Sequence, residues 1–385
     1  MARWAAMRVA AVVTGTVNLL ILGTLPAIVD VLAKYLDLKA AALGTYGSAD
    51  VAGITVGSLV GIPLMRASSP RTAVVLGLTS LMAADLGSAA VSTAASLIAL
   101  RAAGGIGTGL SLAASYYVYG LEHQERNYAA CTLGQTGLAF VVMMAIPSLA
   151  DSFGWRAPFV CLAALVLPGL MLARHFPVQP TVASPKETNG VRPQNPVGLL
   201  SLGIASITAF FMGQGGLWTY LGQIGVAKGF SGAFVATSLS ICAAVGFLSS
   251  IVVLALGPRV TARIALAGSV AVNLVAAFAA TTRVPLIYAL ALALYYAPLP
   301  FIATGLFGAI TRLPSPGRAA AYASTATFAG YTIGPVSAGL IAEHLGFGAV
   351  RWVDIVFVGL AGVLVWPLLA RQRETADAAS DPGCT

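Results

Sequence analysis

Apolar stretches of about 20 residues, the length a helix needs to cross the hydrocarbon core of a bilayer, recur along this chain with only short polar breaks between them. Backbone inside a bilayer must satisfy its own hydrogen bonds, and runs of this length do so as helices. Charged residues make up 9% of the chain, against about a quarter in soluble domains, so an all-α, polytopic membrane protein is the expected class. The apolar runs predict twelve spans, at residues 9–33, 42–65, 72–92, 95–121, 128–150, 157–174, 197–222, 231–256, 262–281, 284–310, 319–343 and 350–369. The first is too long for the apolar core of a cleavable signal and reads as a span. The one long polar segment, rich in proline, divides the chain into two bundles of six helices. The expected units are 1–175, a cytoplasmic linker at 176–196, 197–370, and a disordered cytoplasmic tail at 371–385.

Basic residues set the orientation. Arg3, Arg8, Arg66, Arg71, Arg126, Arg174, Lys186, Arg192, Arg259, Arg263, Arg312, Arg318, Arg371 and Arg373 fall on one side of this map. Lys34, Lys39, Arg156, Lys228, Arg283 and Arg351 fall on the other. The positive-inside rule then places the first side, with both termini and the linker, in the cytoplasm. The same scatter accounts for the net charge of +8 without a basic patch, so no nucleic-acid partner is expected. Cys131, Cys161, Cys242 and Cys384 show neither paired nor metal-ligand spacing and read as free thiols.

Within the fourth span lies Arg101, followed by Gly104, Gly105, Gly107 and Gly109. An arginine near the middle of a spanning helix costs roughly 2.5 to 3.5 kcal/mol on insertion scales, and normally faces a protein interior with a partner. The glycines bare two faces of the helix to close approach by neighbouring backbones. A buried cation in a groove between closely packed helices is a feature of transporters.

Other segments carry a resemblance. Residues 61–71, Gly61-Ile62-Pro63-Leu64-Met65-Arg66-Ala67-Ser68-Ser69-Pro70-Arg71, join the second and third spans; the ends of the fifth and eleventh, from Ile146-Pro147 and from Gly334-Pro335, echo each other. In helix count, linker and repeat the whole chain resembles the major facilitator superfamily. The resemblance makes residues 61–71 the family's cytoplasmic gating signature, keeping Gly61, Arg66 and Arg71, with Met65 in place of its aspartate and Ser68 in place of its second glycine. It makes Arg101, with Gly105 and Gly109, the helix-four motif associated with proton coupling. The family exporters' helix-five motif survives as Pro147, with Ile146, Ala150 and Asp151 where glycines stand; Gly334-Pro335 and Gly339 keep a better copy in helix eleven. Residues 211–220 are similar to bacterial members of the drug and small-metabolite branches.

Asp30, Asp50 and Asp85 are the acids of the first three spans, and with Arg101 they fall in the outer half of the first bundle, at depths that allow pairing. Two readings stand for Asp85 and Arg101. A permanent ion pair would cancel two insertion penalties; a mobile one would couple conformation to proton affinity, because a nearby cation favours the ionised carboxylate. Asp50 has no base beside it in sequence and is the expected coupling acid. Asp30 lies nearest a helix end, where a solvated position is the alternative. The second bundle has almost no charge in its spans. Gln214, Trp218, Tyr220, Gln223, Asn273, Tyr295, Tyr296, Thr304, Tyr322 and Tyr331, with Asn18 from the first span, are the expected lining of a cavity for a partly apolar organic molecule. Tyr288 and Trp352 read instead as interfacial anchors. Gly213, Gly215 and Gly216 around Gln214 are expected to break helix seven, and Pro298 with Pro300 to break helix ten.

The chain has no phosphate loop and no cluster of metal-ligating residues, so neither ATP, a metal nor another cofactor is expected, and no enzymatic activity. The expected function is that of a monomeric secondary transporter in a bacterial inner membrane. It would move a small organic solute by alternating access, coupled to protons, with export ahead of uptake of an organic acid or other metabolite. The rival of another class is a membrane sensor or scaffold retaining the fold, for which Met65 in the gating signature is the support.

Overall fold

The computed structural model describes residues 2–121, 124–179, 197–256, 262–311 and 316–380. They form α1 (Ala2–Asn18), α2 (Leu20–Leu36), α3 (Ala40–Ala67), α4 (Pro70–Ala90), α5 (Ala94–Leu121), α6 (Gln124–Phe153) and α7 (Ala157–Leu172). After the segment at 180–196, outside the described residues, come α8 (Val197–Ala227), α9 (Gly232–Leu256), α10 (Ala262–Ala279), α11 (Pro285–Tyr296), α12 (Leu299–Thr311), α13 (Pro316–Leu345) and α14 (Arg351–Ser380). Among the described residues, 10 stretches are long and apolar enough to cross a membrane; α10 and α13 do not meet that test.

Each apolar run is helical, with two interruptions. The first run is broken at Leu19 into α1 and α2, which together form one span from Trp4 to Leu36. Pro26 then removes the N–H that would meet the carbonyl of Leu22. The tenth run is interrupted at Ala297 and Pro298, as its prolines predict. Helix seven of the sequence reading is not broken: α8 is continuous, and its glycines serve as contact faces. A Cβ at Gly213 would press on Asp354, one at Gly215 on the Tyr331 ring, and one at Gly216 on the Gly334 carbonyl. The tail also departs from expectation. Residues 371–380, whose Arg, Gln, Glu and Ala favour helix, continue α14, and 381–385 lie outside the described residues.

α5 is the axis of the helices preceding the linker. One face meets α3, where an added Cβ at Gly105 would fall on the Asp50 carbonyl and one at Gly109 on the Ile54 carbonyl; Gly53 and Gly57 answer from α3. The other face meets α4 through Gly107 and Gly77. Small residues four apart on facing helices bring backbones into contact in this way. α8 plays the matching part after the linker, packing on α13 and α14. One apolar cluster joins the two sets of helices through α2, α3, α8 and α9, and each set has a second cluster of its own.

Candidate functional site

The close contact of α3, α4 and α5 gathers three charged side chains. Arg101 Nε donates to Asp50 Oδ1 and Arg101 Nη1 to Asp85 Oδ1, each at 2.8 Å. The arginine is fully buried, and both aspartates nearly so. Gly104 makes room for the guanidinium, since a Cβ there would lie 2.6 Å from Nη2. Asp50, read from sequence as an acid without a base beside it, is therefore a partner of Arg101: the base comes from α5, 51 positions on, where linear proximity does not reveal it. Arg101 Nη2 has no hydrogen-bond partner. Asn18 lies nearby on α1, its Oδ1 accepting from Ser111 Oγ at 2.8 Å; with Asp85 it lines a void of about 10 Å³.

The helices before and after the linker meet where α3 packs on α13, α6 on α9 and α2 on α8. The hydrogen bonds described between the two sets fall in the half of the molecule where α3 begins and α13 finishes. Trp218 Nε1 donates to the Leu22 carbonyl at 3.1 Å, the acceptor that Pro26 leaves free. Tyr220 donates its hydroxyl to the Ala40 carbonyl at 2.6 Å, and Gln223 Nε2 donates to Asp30 Oδ1 at 2.7 Å. The Val336 amide donates to Ser48 Oγ, and the Ala41 amide to Glu343. Asp30 is thus neither in the Arg101 cluster nor a freely solvated helix end. Its carboxylate occupies the space beside Gly222, where a Cβ would overlap it.

Among the described residues, two cavities between the sets stand out. The smaller, about 70 Å³, is lined by Leu22, Gly23 and Gln135 on one side and by Gln214, Trp218, Tyr296 and Tyr331 on the other. The larger, about 790 Å³, is a groove bordered by Asp30, Lys34, Asp151, Gln223, Pro147 and Phe230. There Lys34 pairs with Asp151 at 2.7 Å, and Tyr35 donates to the same carboxylate. Of the expected cavity residues, Gln214, Trp218, Tyr296 and Tyr331 converge on the smaller space. Tyr220 and Gln223 point to the joints just described, and Asn18 to the charge cluster. The side chains of Thr304 and Tyr322 lie outside the described ones. Gln135 was missed, because a single glutamine in a threonine- and glycine-containing run carries no signal of its own.

A further polar group sits behind Gln214. Tyr295 is fully buried, and its hydroxyl, with one proton to give, lies between two acceptors, Asp354 Oδ1 at 3.0 Å and the Gln214 carbonyl at 3.1 Å; Asn273 Nδ2 donates to Gln214 Oε1 and to the Tyr295 carbonyl. Asp354 is fully buried in α14, which corrects the reading of these spans as nearly free of charge. Tyr288 is also corrected: it is buried and donates to the Leu221 carbonyl at 2.8 Å, so it anchors α11 to α8 rather than to a membrane interface. Trp352 is about half exposed.

The sequence profile of the Major Facilitator Superfamily matches residues 10–316, most of the chain. The chain belongs to that superfamily. Solved structures agree in fold. A point mutant of the nucleoside transporter NupG aligns with a TM-score of 0.70 at 15% identity, covering 94% of this chain and 99% of that one. A D-xylose-proton symporter aligns at 0.70 and 18%, covering 95% and 97%, and the inward-open xylose transporter XylE from E. coli at 0.73 and 15%, covering 95% and 96%. No curated protein matches. Within the superfamily fold the residues of the expected gating motif take definite places. Gly61 packs against Ala113, while Arg66 and Arg71 are exposed. A Cβ on Gly334 would meet the Met212 carbonyl, Pro335 lies inside α13 against Gly44, and Pro147 borders the groove.

Proposed function

We propose that this superfamily member is a secondary transporter that carries a small organic solute across a bacterial inner membrane by alternating access. Twelve spans would form two bundles of six, residues 1–175 and 197–370, with both termini in the cytoplasm. The observation that carries the proposal is the clustering of inter-set hydrogen bonds at one end, through Trp218, Tyr220 and Gln223 of α8. Bonds of this kind hold one side shut, and the other side opens when they hold. By the distribution of basic residues the shut side is the outer one, and the 790 Å³ groove is its vestibule.

Protons would drive the cycle through Asp50, Asp85 and Arg101. Two carboxylates share one guanidinium, so the group takes up one proton to become neutral, and the protonated partner then holds Arg101 less firmly. Asp30 would report closure through Gln223. Export in exchange for protons is the direction we favour, because the excess of acids over Arg101 opposes an anionic solute such as an organic acid. Uptake by symport is the second reading, supported by the shared fold with a D-xylose-proton symporter. Proteoliposomes holding a pH-sensitive dye, challenged with a panel of sugars, nucleosides and aromatic metabolites, test both. Solute-dependent proton movement is expected in the parent and not in Arg101→Ala. Proton movement that is unchanged in that variant would remove the coupling role, and none with any solute would remove the transport reading.

A further inference from the structure

We infer that the cavity between the two halves selects an uncharged solute group that presents a hydrogen-bond acceptor, and that Gln214 is the residue that reads it. This deepens the transport reading and rests on it. A side-chain amide looks the same by shape whichever way round it sits, so its orientation must come from its neighbours. Here two contacts settle it. A backbone carbonyl can only accept, and that of Tyr295 lies 3.1 Å from Asn273, which must therefore turn its NH₂ toward it. The same NH₂ lies 3.3 Å from Gln214 and needs an acceptor there. Gln214 accordingly gives its oxygen to Asn273 and leaves Nε2, a donor, as its free end. Reversing either amide sets oxygen against oxygen or N–H against N–H.

That free end has no partner in the protein although Gln214 is only 1% exposed. A buried donor without an acceptor is costly, and Gln214 lines the 70 Å³ cavity. An oxygen or ring nitrogen of a solute placed there would satisfy it. An ammonium would oppose N–H to N–H. A carboxylate would find no cation, because none of the residues lining this cavity is charged. The rings of Trp218 and Tyr296 pack on each other, 4.7 Å between centroids and tilted by 37°, and with Tyr331 they give the cavity an aromatic wall against which a flat or ring-shaped group can lie. The cavity has room for about two waters, so it takes the polar end of a solute rather than the whole.

Three singly substituted benzenes test this: N,N-dimethylbenzamide, benzoate and benzylammonium, titrated against purified full-length protein. The readout is Trp218 fluorescence in a parent whose Trp4, Trp155, Trp352 and Trp366 are replaced by phenylalanine. The amide is expected to bind the parent with a Kd lower by roughly tenfold or more than either ion. Gln214→Glu, equal in shape but without the donor, should reverse the order in favour of benzylammonium. Gln214→Met, should the first variant not fold, should abolish the preference for the amide over toluene. Equal or tighter binding of either ion by the parent overturns the inference, as does no binding of any probe, or an order that survives in a variant melting like the parent. Ordered binding by a protein that transports no solute would sink the transport reading and leave this one standing.

Discussion

At the scale of single residues, burial decides what a charge is worth. Arg101 answers two carboxylates, so removing it strands both in a region with no other cation in contact with them among the described residues. Breaking a buried pair typically costs about 3–5 kcal/mol, and Arg101→Ala is expected to lose stability on that scale. Adding Asp50→Asn and Asp85→Asn to Arg101→Met should restore most of it, because the neutral set leaves no charge unpaired. Melting of the purified variants checks this, and a single variant as stable as the parent would contradict the buried pairing. The Lys34–Asp151 pair gives the contrast. Both side chains are more than half exposed, and replacing either should change the melting temperature little.

At the scale of elements, the glycine faces of α5 set how near the acids come to the arginine. Gly105→Ala drives a methyl into the Asp50 carbonyl, and overpacking of this kind costs about 1–3 kcal/mol. Gly120→Ala, on the same helix with nothing within 4 Å of the added methyl, should instead stabilise by up to about 1 kcal/mol. Equal melting of the two variants would show that α3 and α5 are not in backbone contact. These faces were legible in the sequence, since an arginine and four glycines in one apolar run can be read without partners. Pairing across helices was only partly so. Depth brought both Asp50 and Asp85 within reach of Arg101, but nothing in the linear order said that the two would share it. Asp354 was hidden for a related reason: an acid close to a span's first residues looks solvated until the neighbouring helices are in place. The glycines around Gln214 misled because spacing alone does not separate a helix break from a face that another helix covers. Pro26 shows a subtler effect, its missing N–H supplying the acceptor for Trp218. Pro26→Ala would give the Leu22 carbonyl a partner within its own helix. Spin labels on Cys variants of Lys39 and Glu343 should then report a longer mean distance; an unchanged one would mean that this bond does not help to hold the end shut.

At the scale of the whole molecule, the proposed transport cycle would make the two sets of helices levers joined at one end. Joining Lys39→Cys to Glu343→Cys with a short thiol cross-linker, at positions whose native side chains lie 4.0 Å apart, should hold that end shut and stop solute flux until the link is cleaved. Flux that continues through the linked protein would exclude alternating access by this route. The three side chains that tie α8 to α2 and α3 stand within two turns of one rigid helix, so they must let go nearly together. At a net value of about 1 kcal/mol for each hydrogen bond, the set favours the shut arrangement by roughly a hundredfold. About one molecule in a hundred would then visit the opposite arrangement unaided, and a solute that prefers it by a few kcal/mol is enough to make the rare form the common one.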